Sequence, residues 1–319
     1  MLTRSTYSRV VTEAPTEPFG VIHLSLEPPS LVGAMLALKP CLHTLSKPRL
    51  ASLQPPPDSD GKKGAVVILH GFFGSKRNWG SLTKAMVGQM KRPIYALDLR
   101  NHGTSPHAEP MNYTAMAEDV WHFIEQHGLS DVSVIGHSMG GKVAMAMALS
   151  AGYEKPSDVL SKLVVVDVSP IKGKISKQFR TYIDTLKEME GQGIKSRKEA
   201  NDYLARIEPD AGVRAFLLTN LLPFESHHLG PKFAVPLNIF KDYVPHIGDF
   251  PYLPGERSWA GKTLFVKGTK SAYIKDSYKP YIDQFFPNNQ FAELETGHWV
   301  HAEKPQEFMQ VVSKFITDA

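Results

Sequence analysis

The sequence predicts an α/β protein in which a mostly parallel, doubly wound sheet carries an inserted helical cap. First, short apolar runs alternate with segments of helical periodicity along most of the chain, which is typical of successive strand–helix–strand units. Second, the alternation stops between Ile171 and Arg257, where helical patterns occur without a convincing strand. Third, 42% of the 319 residues are hydrophobic, which is enough to bury a large core.

Each predicted strand rests on a short run bounded by polar or turn-forming residues. Runs of four or five apolar residues suit strands that are buried on both faces. The predicted strands occupy residues 65–69, 94–97, 132–135, 163–166, 263–266 and 290–294. Helical spacing fills the intervals and is clearest from Tyr113 to His127, where Gly128 follows as a stop signal.

These patterns divide the chain into an extension, a core in two parts and the cap. The core comprises residues 55–170 and 258–319, and the cap comprises residues 171–257. Residues 1–54 form an N-terminal extension that contains a predicted transit segment and linker. Between Glu27 and Asp58 there is no acidic residue, although several basic and hydroxyl-bearing residues occur there, a composition typical of organelle transit segments.

We therefore expect Met35 to be a real or alternative start and the mature chain to begin near residue 50. If the extension is instead a tail without an address, a cytoplasmic location is expected. A net charge of +4 gives no indication of nucleic-acid binding. The lone cysteine excludes an intrachain disulfide, no apolar run is long enough to predict a transmembrane segment, and no protein partner is indicated.

The chemistry is indicated by the sequence Gly136-His137-Ser138-Met139-Gly140, which lies between a predicted strand and a predicted helix. This pattern is the nucleophile elbow of an α/β-hydrolase fold, in which a sharp turn exposes the serine hydroxyl. The turn leaves no room for side chains beside the serine, and Gly136 and Gly140 meet that requirement. Ser138 is the predicted nucleophile.

A serine nucleophile needs a base and an acid, which follow it along the chain in that fold. His298 lies directly after the last predicted strand and is the predicted base, with His301 as an alternative. Asp167 ends the strand after the nucleophile helix and is the predicted acid. Asp276 is the alternative, because many such folds place the acid after the next-to-last strand.

An oxyanion hole requires two backbone N–H groups, which we assign to Phe72 and Met139. Phe72 belongs to the glycine-rich loop 70–74 that follows the first core strand. The polar segment 98–106 is interpreted as a structural loop. No metal site and no cofactor is predicted, since the histidines lack carboxylates at ligand spacing.

Together these motifs resemble one branch of the α/β-hydrolase superfamily. The branch contains the mitochondrial abhydrolase domain-containing protein 11, YbfF-type bacterial esterases and the yeast ethanol acetyltransferases. The resemblance rests on these segments: His-Gly-Phe-Phe-Gly-Ser, Asp-Leu-Arg-Asn-His-Gly-Thr-Ser-Pro, Gly-His-Ser-Met-Gly-Gly-Lys, Val-Asp-Val-Ser-Pro and Gly-His-Trp-Val-His-Ala-Glu-Lys-Pro. It covers residues 60–317, supports Ser138, Asp167 and His298 as the triad, and implies a mitochondrial location.

The triad predicts a serine esterase that acts on carboxylic esters of small or medium acyl chain through an acyl-enzyme. An alcohol O-acyltransferase using acetyl-CoA and ethanol, or an acyl-CoA thioesterase, would use the same triad. Basic residues between Lys172 and Lys198 could attract the phosphates of an acyl-CoA, although a solvated helix face explains them equally well. A catalytically silent binding protein of the same fold is the non-enzymatic alternative.

Overall fold

A computed structural model describes residues 50, 52–53, 63–152, 155, 158–173, 176–224 and 230–318. Its centre is a seven-stranded sheet. The strands are β1 (Ser52–Leu53), β2 (Val66–Leu69), β3 (Ile94–Leu97), β4 (Val132–His137), β5 (Leu160–Val166), β6 (Lys262–Gly268) and β7 (Asn289–Leu294). Their spatial order is β1-β3-β2-β4-β5-β6-β7, and every pairing except β1 with β3 is parallel. All six predicted strands are therefore present, and the predicted fold class is confirmed.

The edge strand β1 was not predicted, and it lies within the stretch that the sequence assigns to the extension. Ser52 and Leu53 pair with Leu97 and Ala96 of β3. Two residues carry no periodicity, so nothing in their local sequence indicates a strand. The predicted start at Met35 and the transit segment before residue 50 lie outside the described residues.

Six α-helices in the described part of the core flank the sheet. They are α1 (Gly80–Met90), α2 (Tyr113–His127), α3 (Met139–Ser150), α8 (Lys279–Phe285), α9 (Val300–Glu303) and α10 (Pro305–Thr317). Side chains alternate between the two faces along β2: Val66 and Ile68 pack with α1 and α10, whereas Val67 and Leu69 pack with α2 and α3. This alternation follows from the two-residue period of a strand, and it explains why all four β2 residues are buried.

Local sequence sets the limits of α2 as predicted. Asn112 caps its start by accepting a hydrogen bond from the Ala115 N–H at 2.9 Å. Gly128 ends it in the left-handed conformation at φ 60°, where glycine carries no steric penalty.

In its described residues the cap contributes four α-helices between β5 and β6, namely α4 (Lys177–Glu190), α5 (Arg197–Leu204), α6 (Ala211–Leu217) and α7 (Leu237–Tyr243). Its described residues contain no strand, only an isolated bridge between Leu221 and Phe233. The buried Phe240 of α7 packs on Phe72 with ring centroids 4.6 Å apart. The helices of this segment therefore lie over the loop that follows β2. In the part of the chain that the structure describes, no helix is long and apolar enough to span a membrane.

Candidate active site

The turn between β4 and α3 holds Ser138 in a conformation that few residues adopt. Its φ is 54° and its ψ is −118°, and it precedes the first residue of α3, so the turn stores backbone strain. A Cβ at Gly136 would lie 2.3 Å from the Gly140 carbonyl oxygen, and one at Gly140 would lie 2.4 Å from that of Leu69. Close backbone contacts therefore leave no room for a side chain at either elbow glycine.

The structure brings the three predicted triad residues into one hydrogen-bonded chain. His298 Nε2 lies 3.0 Å from Ser138 Oγ, and His298 Nδ1 lies 2.7 Å from Asp167 Oδ2. The carboxylate accepts a hydrogen bond from the Nδ1–H group, which leaves Nε2 free to accept a hydrogen bond from the serine hydroxyl. This is the geometry of a nucleophile, a base and an orienting acid.

The Asp167 carboxylate is fully buried and is held by three donors. Its Oδ1 accepts a hydrogen bond from the Gly268 N–H at 3.0 Å. Its Oδ2 accepts one from Ser271 Oγ at 2.5 Å, besides the one from His298. No sequence pattern identifies Ser271, because a serine in a loop has no motif of its own.

The two alternative residues lie elsewhere. The Asp276 side chain is 78% exposed and pairs with Lys267 at 3.6 Å and Lys279 at 3.4 Å. His301 is buried, and its ring stacks on Trp79 at a centroid distance of 4.1 Å. Burial lowers the pKa of His301 to about 3. The position between Ser138 and a carboxylate belongs to His298 and not to His301, and the carboxylate that His298 contacts is that of Asp167 and not that of Asp276.

The loop after β2 packs directly against the elbow. A Cβ at Gly71 would lie 3.3 Å from Ser138 Cβ. His70 organises this loop: its Nδ1 donates to the Gly71 carbonyl at 2.8 Å, while its Nε2 accepts from the Leu99 N–H at 3.0 Å. The backbones of Phe72 and Met139 thus lie on the two segments that meet at Ser138, and their role as oxyanion donors stays a prediction.

A small, largely apolar cavity of about 70 Å³ opens at Ser138 and His298. Phe179 and Phe216 of the cap line it, together with Trp299 of the loop after β7. The rings of Phe216 and Trp299 lie 6.1 Å apart. Tyr273 stacks on the opposite part of the site, with its ring 4.1 Å from that of His298.

The polar segment 98–106 forms the structural loop that was predicted. Asp98 accepts hydrogen bonds from the backbone N–H groups of Lys76 at 2.7 Å and Thr104 at 2.8 Å. Arg100 pairs with Asp119 through two bonds of 2.5 and 2.6 Å. These contacts tie the loop after β3 to neighbouring elements and leave these charges paired. Among the described residues, no group of three or more His, Cys, Asp or Glu side chains is arranged to hold a metal ion.

Comparison with known proteins assigns the chain to a family. The model of the alpha/beta hydrolase fold matches residues 64–305. The chain belongs to the alpha/beta hydrolase family. This membership confirms the superfamily that the motifs resemble, and the relatives described next belong to the expected branch.

Three similar proteins and one solved structure show the range of this family. An abhydrolase domain-containing protein of Schizosaccharomyces pombe is 38% identical, with 81% of this chain and 93% of that protein aligned. The mouse sn-1-specific diacylglycerol lipase ABHD11 is also 38% identical (81% and 83%). A probable alcohol acetyltransferase of Saccharomyces cerevisiae is 36% identical (81% and 79%). The structure of a marine microorganism esterase is 31% identical, with a TM-score of 0.74, covering 84% of this chain and 99% of that one.

Proposed function

We propose that this protein is a serine esterase that cleaves carboxylic esters of small or medium acyl chain through an acyl-enzyme on Ser138. The observation that carries the proposal is the hydrogen-bonded chain from Ser138 through His298 to Asp167. The named activities of similar proteins support it, since they include a lipase, an esterase and an acetyltransferase. All three activities move an acyl group.

In the proposed reaction, Ser138 Oγ attacks the ester carbonyl while His298 Nε2 accepts the hydroxyl proton. Asp167 stabilises the imidazolium that forms. The developing oxyanion would accept hydrogen bonds from the N–H groups of Phe72 and Met139. His298 then returns the proton to the leaving alcohol, and water attacks the acyl-enzyme by the same route in reverse.

The size of the cavity supports a short acyl group. A volume of about 70 Å³ holds only a few water-sized probes, and aromatic rings close it on the side of the cap. Phe216 and Trp299 therefore limit the length of the chain that fits beside Ser138. We expect turnover to be highest with acetyl to butyryl esters and to fall with longer chains.

Transfer of the acyl group to an alcohol is the second candidate function. It uses the same acyl-enzyme, with ethanol or another alcohol in place of water, and the similarity to a probable alcohol acetyltransferase favours it. Hydrolysis of an acyl-CoA is a third outcome of the same chemistry. No cofactor is required by any of these reactions.

A purified-protein assay separates these functions. The substrates are p-nitrophenyl acetate, butyrate and octanoate, and acetyl-CoA with and without ethanol. Ester cleavage that is fastest with the short chains supports the esterase, and ethyl acetate formed only with ethanol supports the transferase. Release of free CoA without an alcohol indicates a thioesterase.

Covalent labelling by a fluorophosphonate tests the nucleophile directly. Ser138→Ala should abolish both labelling and turnover. Ser161→Ala is the matched control, because the Ser161 hydroxyl bonds the Val132 carbonyl at the far end of β4. A wild-type protein that is neither labelled nor active would indicate a silent binding protein and overturn the proposal.

We also propose that the part of the extension from Met35 to about residue 50 directs the chain to mitochondria. The absence of acidic residues between Glu27 and Asp58 supports this. Fusion of residues 1–54 to a fluorescent protein should give mitochondrial fluorescence, whereas cytoplasmic fluorescence would contradict the proposal.

A further inference from the structure

Lys142 connects the nucleophile helix to the base of the cap, by which we mean the two chain segments that join the cap to the core, around Ile171 and around Gly248 and Asp249. It lies on the first turn of α3, where its backbone N–H donates to the Ser138 carbonyl at 3.1 Å. Its side chain is buried, and its ammonium nitrogen meets three carbonyl oxygens at 3.1, 2.9 and 2.8 Å. These oxygens belong to Ile171, Gly248 and Asp249.

The three carbonyls come from both ends of the cap. Ile171 lies where the chain leaves the core after β5, and Gly248 and Asp249 lie on the segment that returns to β6 after α7. The two ends also bond each other, since the Gly173 N–H donates to the Gly248 carbonyl at 2.8 Å. An ammonium group has three donors and no acceptor, so three carbonyls satisfy it fully.

The groups around this ammonium act together with it. The Tyr113 ring of α2 lies 5.6 Å from the nitrogen, and its hydroxyl donates to the adjacent Ile247 carbonyl at 2.6 Å. The Asp249 carboxylate instead pairs with Lys172 at 3.2 Å and with His246 at 3.1 Å. Burial lowers the pKa of Lys142 to about 8, partly offset by the Asp249 charge. The arrangement is thus a buried cation held chiefly by backbone dipoles.

We propose that Lys142 is a positioning residue that holds both ends of the cap against the nucleophile helix and thereby sets the size of ester that reaches Ser138. We call Lys142 and its three carbonyl partners the Lys142 clamp. The cap carries Phe179 and Phe216, which line the cavity at the serine. Releasing the base of the cap lets these rings move away from Ser138, so longer acyl chains enter. The size selection rests on the proposed esterase function, whereas the clamp itself does not.

The test compares Lys142→Met with a matched control at the opposite end of the sheet. Methionine keeps an unbranched chain of similar length and removes the three donors. Lys162 is the control because its ammonium also meets three carbonyls, those of Phe315, Ile316 and Asp318 near the C-terminus. Lys162→Met therefore removes an equivalent cluster of bonds that does not contact the cap.

The first readout is hydrogen–deuterium exchange of the intact protein. Lys142→Met should raise amide exchange at least tenfold in residues 171–173 and 246–250, and Lys162→Met should raise it only near residues 311–318. Tyr113→Phe removes one bond to the same return segment and should give a smaller rise there. Exchange at 171–173 and 246–250 that is equal in Lys142→Met and the wild type would overturn the clamp. If Lys142→Met fails to fold, Lys142→Gln decides, because it also removes the ammonium group, and exchange at 171–173 and 246–250 equal to that of the wild type would count against the proposal.

The second readout is the ratio of kcat/KM for p-nitrophenyl octanoate to that for the acetate. Lys142→Met should raise this ratio at least fivefold, chiefly through a lower KM for the octanoate. Lys162→Met should leave the ratio as in the wild type, and Lys142→Arg, which retains donors, should fall between. An unchanged ratio in a loosened Lys142→Met protein would refute the role in size selection. If the wild type cleaves no ester, the proposed function fails, while the exchange result still decides on the clamp.

Discussion

Ser271 donates a 2.5 Å hydrogen bond to Asp167 from the loop that follows β6. The alternative acid, Asp276, lies beyond that loop. The proposed acid, Asp167, lies one strand away at the end of β5, and the loop supplies a hydroxyl to it. The Ser271 hydroxyl donates to Oδ2 of this carboxylate, and the Gly268 N–H donates to Oδ1. We infer that they orient Asp167 toward His298.

Removal of this hydroxyl should slow the reaction without weakening substrate binding. Ser271→Ala deletes a bond to a charged group, which contributes about 1.5–3 kcal/mol, and only part of that affects the transition state. We expect kcat for p-nitrophenyl acetate to fall about tenfold, which corresponds to roughly 1.4 kcal/mol, with KM changed less than twofold. Ser271→Thr, which keeps the hydroxyl, should recover most of the rate. A rise in KM with kcat unchanged would contradict the orienting role.

The position of the acid leads to a second prediction. Asp167→Asn keeps the shape of the side chain but removes the charge that orients His298, and in triads of this kind the rate falls by about 10⁴. Asp276→Asn is the matched control, since Asp276 is exposed and pairs with Lys267 and Lys279. Its rate should stay within about twofold of the wild type, as for most surface changes. Steady-state rates with p-nitrophenyl acetate test both variants, and the reverse ranking would assign the acid to Asp276.

These residues also show what the sequence can and cannot predict. The elbow, Asp167 and His298 follow from motifs at the ends of β4, β5 and β7, because parallel strands bring those ends to one edge. Ser271 and Lys142 act through partners that are distant in sequence, and the partners of Lys142 are backbone carbonyls that any residue carries. The two-residue strand β1 exists only through its pairing with β3. Such features depend on the completed fold and leave no local pattern.

Buried histidines predict that acid destabilises the folded protein. Four histidines are buried among the described residues, and burial lowers the pKa of each: His70, His102, His137 and His301. The folded state therefore takes up these protons only at lower pH than the unfolded state. The unfolded chain gains protons as the pH falls below about 6.5, so the free energy of unfolding is highest above that pH and declines toward pH 3.

One variant isolates a single histidine. Because His301 has a pKa of about 3 in the folded protein, we expect it to lower the free energy of unfolding by about 2 kcal/mol between pH 7.5 and pH 5. His301→Phe keeps an aromatic ring against Trp79 and removes the titrating group. Urea unfolding measures the free energy of unfolding at the two pH values. Its decrease from pH 7.5 to pH 5 should be smaller by about 2 kcal/mol in this variant than in the wild type. An identical loss in the variant and the wild type would exclude His301 as a contributor.

Two glycines that both lie in helices, Gly140 in α3 and Gly88 in α1, should respond to alanine in opposite ways. A Cβ at Gly140 would lie 2.4 and 2.5 Å from the carbonyl oxygens of Leu69 and His70, so β2 and the elbow must separate to admit it. We expect Gly140→Ala to lower the free energy of unfolding by about 3 kcal/mol or more and to abolish fluorophosphonate labelling.

Gly88, on the exposed side of α1, has no atom within 4 Å of the added carbon. Gly88→Ala should therefore raise the free energy of unfolding by about 0.5–1 kcal/mol, the ordinary gain for this exchange in a helix. Thermal denaturation and labelling of both variants test the pair. The close packing of Gly136, Gly140 and β2 leaves no room for the added carbon unless the elbow opens. Labelling of Gly140→Ala at the wild-type level would therefore contradict the prediction, because it would show that the elbow can open and still present Ser138.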